Sequence, residues 1–318
     1  MPKQILLLFS LLTAIASFAQ TEISFKPKWK VGDKRTATII THDTEYKGDE
    51  LTEETTETLE VVFEIIKESA TDYSVKVTMD NIALSPVVEM YDKIADELPK
   101  YKSLVLMYQV NKLGGTADLL NWKESKAFIL ESFEQAEKLL KKKLPEDVEY
   151  AKMLMNPIVS LFSSKEAVEG YMENVINYLL TPYSQAFVLN DTVKVERAEV
   201  NPFNASEEIS TTHLYYLTEK GKGIYNLNYS IQFDMSGFVA MMKEMMSEMG
   251  KSFGVEDSSI AKKNAEFDDI TFNMTNYSDW VYNATGGWLT SVTTKTEIYG
   301  TDPSGKRRNV SETSVTYK

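Results

Sequence analysis

One short segment of the chain matches a catalytic motif. Residues 250–254 (GKSFG) have the Gly-x-Ser-x-Gly spacing of the nucleophile elbow of serine hydrolases. That elbow needs a strand before the serine and a helix after it, and the catalytic histidine follows later in the chain. Here a predicted helix precedes Ser252, and His42 and His213 both come before it. We therefore interpret the segment as a loop that ends a helix, with a hydrolase of unknown type kept as an alternative.

Acidic side chains are numerous but follow no specific pattern. The neighbours Asp268 and Asp269 could do acid–base work, although unassisted pairs of carboxylates are common. Acidic residues between positions 43 and 57 could hold a divalent cation, but they lack the spaced Asp/Asn and Gly residues of a calcium loop. A solvated strand edge that discourages strand addition explains this stretch. We assign no catalytic residue, no metal site and no cofactor.

Three aromatic residues could bind a sugar. Trp280, Tyr282 and Trp288 lie close to a predicted turn at 286–287, and aromatic ring faces can stack on sugars or other ligands. The cores of strands use the same residue types, so burial is the ordinary interpretation. A glycan-binding module built on these three residues is therefore an alternative from a different function class.

A methionine-rich helix is predicted to cover one face of a sheet. Residues 224–233 alternate between apolar and polar side chains more cleanly than any other stretch, which predicts a strand with one buried face. The following helix is flanked by Gly237 and Gly250, and methionine suits surfaces that accept variable apolar partners. Our ligand-binding hypothesis joins the two elements through Tyr225, Leu227, Tyr229, Phe238, Met242, Met245 and Met249.

The composition excludes several classes of chemistry. The 318-residue sequence has no cysteine and two histidines, which excludes thiolate metal sites, cysteine nucleophiles and multi-histidine zinc sites. Its net charge of -13 repels phosphate backbones, so no nucleic-acid partner is expected. Hydrophobic residues make up 43% and charged residues 25%, which is typical of a soluble globular chain.

The first 19 residues have the pattern of a signal peptide. Lys3 precedes an apolar run from position 5 to 15, and Ser17 and Ala19 are the small residues that a signal peptidase reads. The run is shorter than the roughly 20 residues that cross a membrane, so we expect cleavage before Gln20 and no transmembrane segment afterwards. Without cysteine there is no lipid-attachment site. The sequence therefore predicts an exported protein, periplasmic or secreted.

Strand patterns recur on both sides of a helical block. Alternation from Arg35 to Ala83 predicts a three-stranded meander with turns at 47–49 and 69–72. In it, Leu59, Val61, Phe63 and Ile65 would line one face, and Tyr73, Val75, Val77 and Met79 another. Further strands are predicted at 104–110, 193–200, 213–217, 224–233, 267–276, 288–299 and 307–317. A short strand that ends near residue 121 is also predicted.

The helical block is predicted at about 122–182. Its first helix has the apolar stripe Ile129, Phe133, Ala136, Leu140 and Leu144, and two further stripes run over 148–162 and 168–179. A short helix is also expected at 87–98. Residues 20–318 thus form a single α+β domain with a mostly antiparallel curved sheet, half-barrel-like, and inserted helices packed on one face.

Several short motifs resemble those of uncharacterised exported proteins of the Bacteroidota. They are the signal ending at 18–20, the opening at 28–33 (KWKVGD), the strand at 108–111 (YQVN) and the closing strand at 286–289 (GGWL). The resemblance implies residence in the cell envelope and a β-rich fold, without an assigned activity. The architecture is also similar to the half-barrel of lipoprotein carriers, in which helices cover an apolar concave face.

These observations favour a non-enzymatic, soluble protein of the cell envelope. Its expected partner is a hydrophobic small molecule or an envelope protein, bound between the sheet and the helices. The sequence leaves the ligand's identity and the oligomeric state open.

Overall fold

The computed structural model describes most of the strand-forming sequence. The described residues are 21–80, 97–113, 117–143, 186–201, 204–233, 271–302 and 305–318, together with Ser247 and single positions between 145 and 183. Several predictions lie outside them, wholly or for the most part: the signal peptide, the helix at 87–98, the helical stripe at 148–162, the methionine-rich helix, the Ser252 loop and the Asp268–Asp269 pair. The predicted ligand-binding residues Phe238, Met242, Met245 and Met249 are therefore not described.

Antiparallel strands dominate the described chain. The strands are β1 (Glu22–Ser24), β2 (Lys34–Lys47), β3 (Glu50–Glu68), β4 (Asp72–Asp80), β5 (Ser103–Asn111), β6 (Ala117–Leu119), β7 (Ala186–Val188), β8 (Thr192–Asn201), β9 (Asn204–Gly221), β10 (Ile224–Phe233), β11 (Thr271–Asn283), β12 (Trp288–Asp302) and β13 (Gly305–Tyr317). A 3-10 turn covers Pro99–Tyr101, and one long helix, α1, covers Trp122–Lys143.

Eleven strands form one sheet in the order β6-β5-β4-β3-β2-β13-β12-β11-β10-β9-β8. Each half is a meander of neighbouring strands, and the halves meet where the last strand, β13, pairs with β2. The sheet is not closed, because β6 and β8 form its two edges. Strands β1 and β7 make a separate two-stranded ribbon. The expectation of an α+β fold with a mostly antiparallel sheet therefore holds in its coarse form, with the sheet more dominant than expected.

The predicted meander and its turns are confirmed. Strand β2 ends at Lys47 and β3 begins at Glu50, and β3 ends at Glu68 before β4 begins at Asp72. One detail was wrong: the two apolar sets share a face. Val61 pairs with Met79, and Phe63 with Val77. Because directly paired residues project from the same side of a sheet, both sets contribute to one core.

Helix α1 contributes four residues of its predicted stripe to that core, and the fifth, Leu144, lies outside the described residues. Ile129, Phe133, Ala136 and Leu140 are buried, while Lys141 to Lys143 lie in the last turn, where cations interact favourably with the helix dipole. Val148, Val168, Met172 and Leu179, single described positions after this helix, are also buried in the core. We call the face of the sheet that carries this core the inner face.

Candidate functional site on the inner face of the sheet

The N-terminal segment, residues 25–30, lies on the inner face and fills it with aromatic side chains. The ring of Phe25 lies 4.3 Å from that of Tyr282, 5.6 Å from Phe187 and 5.7 Å from Tyr225, centroid to centroid. Phe25 is 1% exposed. The Phe25 side chain, which does not belong to the eleven-stranded sheet, therefore packs against the inner face of β10 and β11. We call residues 25–30 the inserted segment.

Trp29 joins the two halves of the sheet. Its ring centroid lies 5.2 Å from that of Tyr73 on β4 and 5.0 Å from that of Trp288 on β12. Those strands are four steps apart in the sheet, roughly 19 Å if the sheet were flat. One ring in contact with side chains from both strands is the arrangement expected of a concave inner face. Tyr183 meets the same ring edge-on at 5.7 Å.

Polar contacts fix the inserted segment to the turn between β11 and β12. The Trp29 indole N–H donates to the Gly287 carbonyl oxygen at 3.0 Å, and the Tyr183 hydroxyl donates to the same oxygen at 2.9 Å. The Lys28 ammonium donates to the Ala284 carbonyl oxygen at 2.7 Å. In return, the Tyr282 hydroxyl donates to the Lys26 carbonyl oxygen at 2.9 Å. The segment thus has defined polar partners as well as apolar ones.

Gly287 permits the close approach of this segment. Its φ of 66° is in the left-handed region, and a Cβ built on it would lie 2.5 Å from the Lys28 backbone nitrogen. Only glycine fits both conditions without a shift of the segment. The predicted Gly-Gly turn is therefore also a docking position for the N-terminal chain.

Burial changes the acidity of two tyrosines at this end. Desolvation raises the pKa of Tyr282 to about 12, and it raises the pKa of Tyr183 well above the usual value for tyrosine. Both phenols therefore stay protonated and act as hydrogen-bond donors over the physiological range. Their role here is structural, because each hydroxyl donates to a backbone carbonyl.

The three described residues of the ligand-binding hypothesis share this face. Leu227 is 1% exposed and pairs with Trp280, while Tyr225 and Tyr229 are half-buried. Tyr225 contacts Phe25. These three residues thus lie on the inner face of one strand, β10, and Tyr225 among them contacts the inserted segment.

Tyr229 belongs to a stacked group with His213. The ring of Tyr229 lies 4.7 Å from Tyr215 and 5.8 Å from His213, nearly parallel to both. His213 is 1% exposed, its Nδ1 lies 2.7 Å from the Tyr229 hydroxyl, and its Nε2 lies 2.9 Å from Thr211 Oγ1. Both ring nitrogens therefore have hydrogen-bond partners, as expected of a structural histidine.

The residues of the glycan-binding alternative are buried. Trp280, Tyr282 and Trp288 are 5%, 2% and 5% exposed. The ring of Trp288 contacts Trp29, and the Arg35 guanidinium lies over it at 5.5 Å from the centroid. Protein side chains thus pack against the Trp288 ring. The Trp280 indole N–H is buried, and no described residue accepts a hydrogen bond from it.

The opposite end of the inner face is polar. Thr41 and Thr313 hydroxyls lie 3.2 Å apart, and the Asn276 amide donates to Thr296 Oγ1 at 3.0 Å. A pocket of about 300 Å³ opens there, and inward-facing side chains make up most of its lining: Asp43, Glu45, Glu53, Thr55, Thr296, Ile298, Asn309 and Ser311. Within the described ranges, no group of three or more Asp, Glu or His side chains could hold a metal ion.

Phe25 and Trp29 were not recognised as site residues from the sequence. They lie in a short polar segment, FKPKWK, that has neither strand nor helix periodicity. The available signal was the presence of two large aromatic residues in a segment that otherwise reads as an exposed linker, since such side chains are seldom left in water.

Comparisons with known proteins do not identify the chain. No protein-family model matches it, and no curated protein matches it in sequence. Three solved structures align with it along most of their length. The first is a protein from Bacteroides fragilis described as exported and having a YmcC-like fold, with 7% identity, 91% of this chain and 97% of that chain covered, and a TM-score of 0.17.

The other two are outer membrane proteins. A loop-deletion mutant of OmpT from Vibrio cholerae has 6% identity, covers 91% of this chain and 100% of its own, and has a TM-score of 0.22. An outer membrane channel from Pseudomonas putida has 6% identity, covers 92% and 98%, and has a TM-score of 0.16. These similarities are too weak to carry any conclusion about the fold or function of this chain. Among the described residues, no helix is both long and apolar enough to cross a membrane.

Proposed function

We propose that this is an exported, non-enzymatic binding protein. It holds an apolar ligand, or an apolar segment of a partner protein, on the inner face of its sheet. The observation that supports this most directly is the inserted segment: the face accommodates a chain segment that is not part of the large sheet and presents aromatic groups to it. The ring contacts of Phe25 and Trp29 support an apolar occupant of about the size of an aromatic side chain.

The contacts of Phe25 explain why the ligand would be apolar. The rings of Tyr225, Tyr282 and Phe187 contact its ring. Burying an aromatic side chain of this size stabilises the bound state by roughly 1.5 to 3 kcal/mol. An external apolar group would gain the same interactions beside or in place of this ring.

Tyr225 is the residue through which to test the proposal. It is half-buried on the inner face, so its removal should alter the site without opening the core. We expect the mature protein to bind the fluorescent fatty acid cis-parinaric acid, and Tyr225→Ala to weaken binding about tenfold, equivalent to about 1.4 kcal/mol.

Tyr216→Ala is the matched control. Tyr216 is 40% exposed on the neighbouring strand β9, and its register places it on the outer face. Probe binding should be unchanged in this variant. A wild-type protein that takes up no probe, or two variants that weaken binding equally, would contradict the proposal.

Export is a separate part of the proposal. Sequencing the N-terminus of protein recovered from the envelope or the medium should give Gln20. An intact Met1 on membrane-bound protein would instead show that the apolar run is retained as an anchor.

A further inference from the structure

A second groove lies on the outer face of the sheet, away from the inserted segment. It has a volume of about 420 Å³ and crosses β11, β12, β13 and β2. Its outward-facing lining residues are Ile40, His42, Tyr277, Asp279, Thr293, Lys295, Glu312 and Ser314. Three strand spacings make the groove roughly 14 Å long.

The strand register explains why these side chains converge. Tyr277 pairs with Lys295, Lys295 with Glu312, and Glu312 with His42, which places all four in one row. The next row runs from Asp279 through Thr293 and Ser314 to Ile40. Two adjacent rows on one face thus line the groove.

Tyr277 supplies an open aromatic surface. It is 55% exposed, and the part of the chain that the structure describes places no aromatic ring against it. A large ring exposed to this extent gains little from the fold. It is available to stack on the C–H face of a sugar ring, as aromatic residues do at binding surfaces.

Asp279 supplies a fixed hydrogen-bond acceptor beside that ring. Its Oδ1 accepts hydrogen bonds from the Asn226 amide, at 3.3 Å, and from the Asn228 amide. These bonds orient the carboxylate, and no described residue donates a hydrogen bond to its Oδ2. Such an oriented acceptor suits the hydroxyl groups of a sugar.

The charges in the groove favour a neutral ligand. Lys295 forms an ion pair with Glu312 at 2.8 Å, and His42 lies 3.3 Å from Glu54. The Lys295 ammonium also lowers the pKa of Glu312, chiefly through its hydrogen bond to the carboxylate. The basic groups are thus already paired, and Asp279 adds negative charge that would repel an anionic ligand.

We propose that this outer groove binds a neutral sugar ring of an oligosaccharide. The ring stacks on Tyr277, and its hydroxyl groups donate to Asp279 and exchange hydrogen bonds with Thr293 and Ser314. This site is separate from the inner face, so it could act whether or not the inner face holds an apolar ligand.

The test uses saturation-transfer NMR of the mature protein with three probes: cellobiose, maltose and N,N′-diacetylchitobiose. We expect at least one probe to bind, with a dissociation constant on the order of 1 mM. Tyr277→Ala should weaken that binding about tenfold while leaving the unfolding temperature within a few degrees of the wild type.

Tyr299→Ala is the control for the loss of an exposed tyrosine. Tyr299 is 43% exposed on β12, projects to the same face and is not part of the groove lining. Its replacement should leave sugar binding unchanged. The proposal is overturned if none of the three probes binds the wild type, if Tyr277→Ala binds as the wild type does, or if both variants lose binding equally.

Discussion

The two ends of the inner face are built on the same strands and yet have opposite chemistry. At the apolar end, one row of paired residues crosses seven strands: Leu217, Leu227, Trp280, Val292, Val315, Ile39 and Leu59. Two residues further along each strand, the row is Tyr215, Tyr229, Ser278, Thr294, Thr313, Thr41 and Glu57. The alternation of inward and outward side chains is unbroken between them, so alternation alone does not decide which part of a strand becomes core.

What lies over each end explains the difference. The inserted segment covers the apolar end and buries Phe25 and Trp29 there. At the polar end, hydroxyl and amide groups bind each other, as Thr41 does with Thr313 and Asn276 with Thr296. We therefore expect the free energy that stabilises the sheet to be concentrated at the apolar end, and the following variants test that expectation.

Removing Trp29 should have the largest effect. Trp29→Ala deletes a ring that is 2% exposed and contacts both halves of the sheet, so we expect a loss of about 3 to 5 kcal/mol in the free energy of unfolding. Urea denaturation measures this loss. Val31→Ala, two residues away and 57% exposed, is the control and should stay close to the wild type. A loss below about 1 kcal/mol for Trp29→Ala would mean that the inserted segment does not hold the sheet together.

Alanine substitutions at Gly287 and Gly48 distinguish the effect of a close contact from the effect of backbone strain. Gly287→Ala and Gly48→Ala both place a side chain at positive φ, 66° and 65°, but only Gly287 has a neighbour within 4 Å of the added Cβ. Backbone strain alone should cost Gly48→Ala about 1 kcal/mol. Gly287→Ala should cost roughly 3 kcal/mol, because the inserted segment must also move away.

Hydrogen exchange provides the second measurement for this pair. Gly287→Ala should increase exchange of the amides of residues 25, 26 and 28–30, and Gly48→Ala should not; Pro27 has no amide hydrogen. Equal losses of stability and unchanged exchange in both variants would show that the close contact with Lys28 is unimportant.

The sequence predicted the strands well where alternation was strong. The strand at 224–233 has the predicted bounds, since Tyr225, Leu227 and Tyr229 alternate with polar residues along it. Strand β9 was predicted only at 213–217 but covers Asn204–Gly221, because the polar stretch before His213 has no alternation. Strand β11 was predicted to end at 276 but continues to Asn283 through Trp280 and Tyr282. Ladder hydrogen bonds to neighbouring strands extend these elements, and a single sequence does not show those neighbours.

The candidate site was harder to predict than the strands. Tyr225, Leu227 and Tyr229 were placed on a common face by period-two spacing, which depends only on local geometry. Trp29 acts through contacts with Tyr73 and Trp288, which are distant in the sequence. Nothing in its neighbours predicts those contacts. The glycan-binding alternative was placed on Trp280, Tyr282 and Trp288, which are buried, whereas Tyr277, three residues before Trp280, is exposed. The exposure of an aromatic residue depends on the rest of the fold, which local spacing does not show.

Alkaline pH should weaken the apolar end through Tyr282. Its pKa is raised to about 12 by burial, against about 10 in the unfolded chain, so its contribution to stability is present below pH 10 and is lost as the pH rises towards 12. A shift of this size corresponds to about 2 to 3 kcal/mol. Tyr282→Phe should cost about 1 kcal/mol at pH 7, from the lost bond to the Lys26 carbonyl, and should flatten the decline between pH 10 and 12.

Urea denaturation of both proteins at pH 8, 10 and 11.5 measures this difference. Buried Tyr183 remains in both and also opposes ionisation, so the decline should be reduced rather than abolished. Parallel stability curves for the wild type and Tyr282→Phe would contradict the assignment.

The polar end should tolerate the loss of a hydroxyl with the smallest effect of the set. Thr313→Val keeps the shape of the side chain and removes its bond to Thr41, whose side chain is half-buried and can bind water instead. The added methyl group gains some apolar burial, because residue 313 is only 8% exposed. The two terms oppose each other, so the free energy of unfolding should change by less than about 1 kcal/mol.

The double variant Thr41→Val and Thr313→Val should be closer to the wild type than the sum of the two single changes predicts, because it leaves neither hydroxyl without its partner. A loss above about 2 kcal/mol in the free energy of unfolding of Thr313→Val would mean that the polar end is packed as tightly as the apolar end. The contrast between the two ends would then no longer hold.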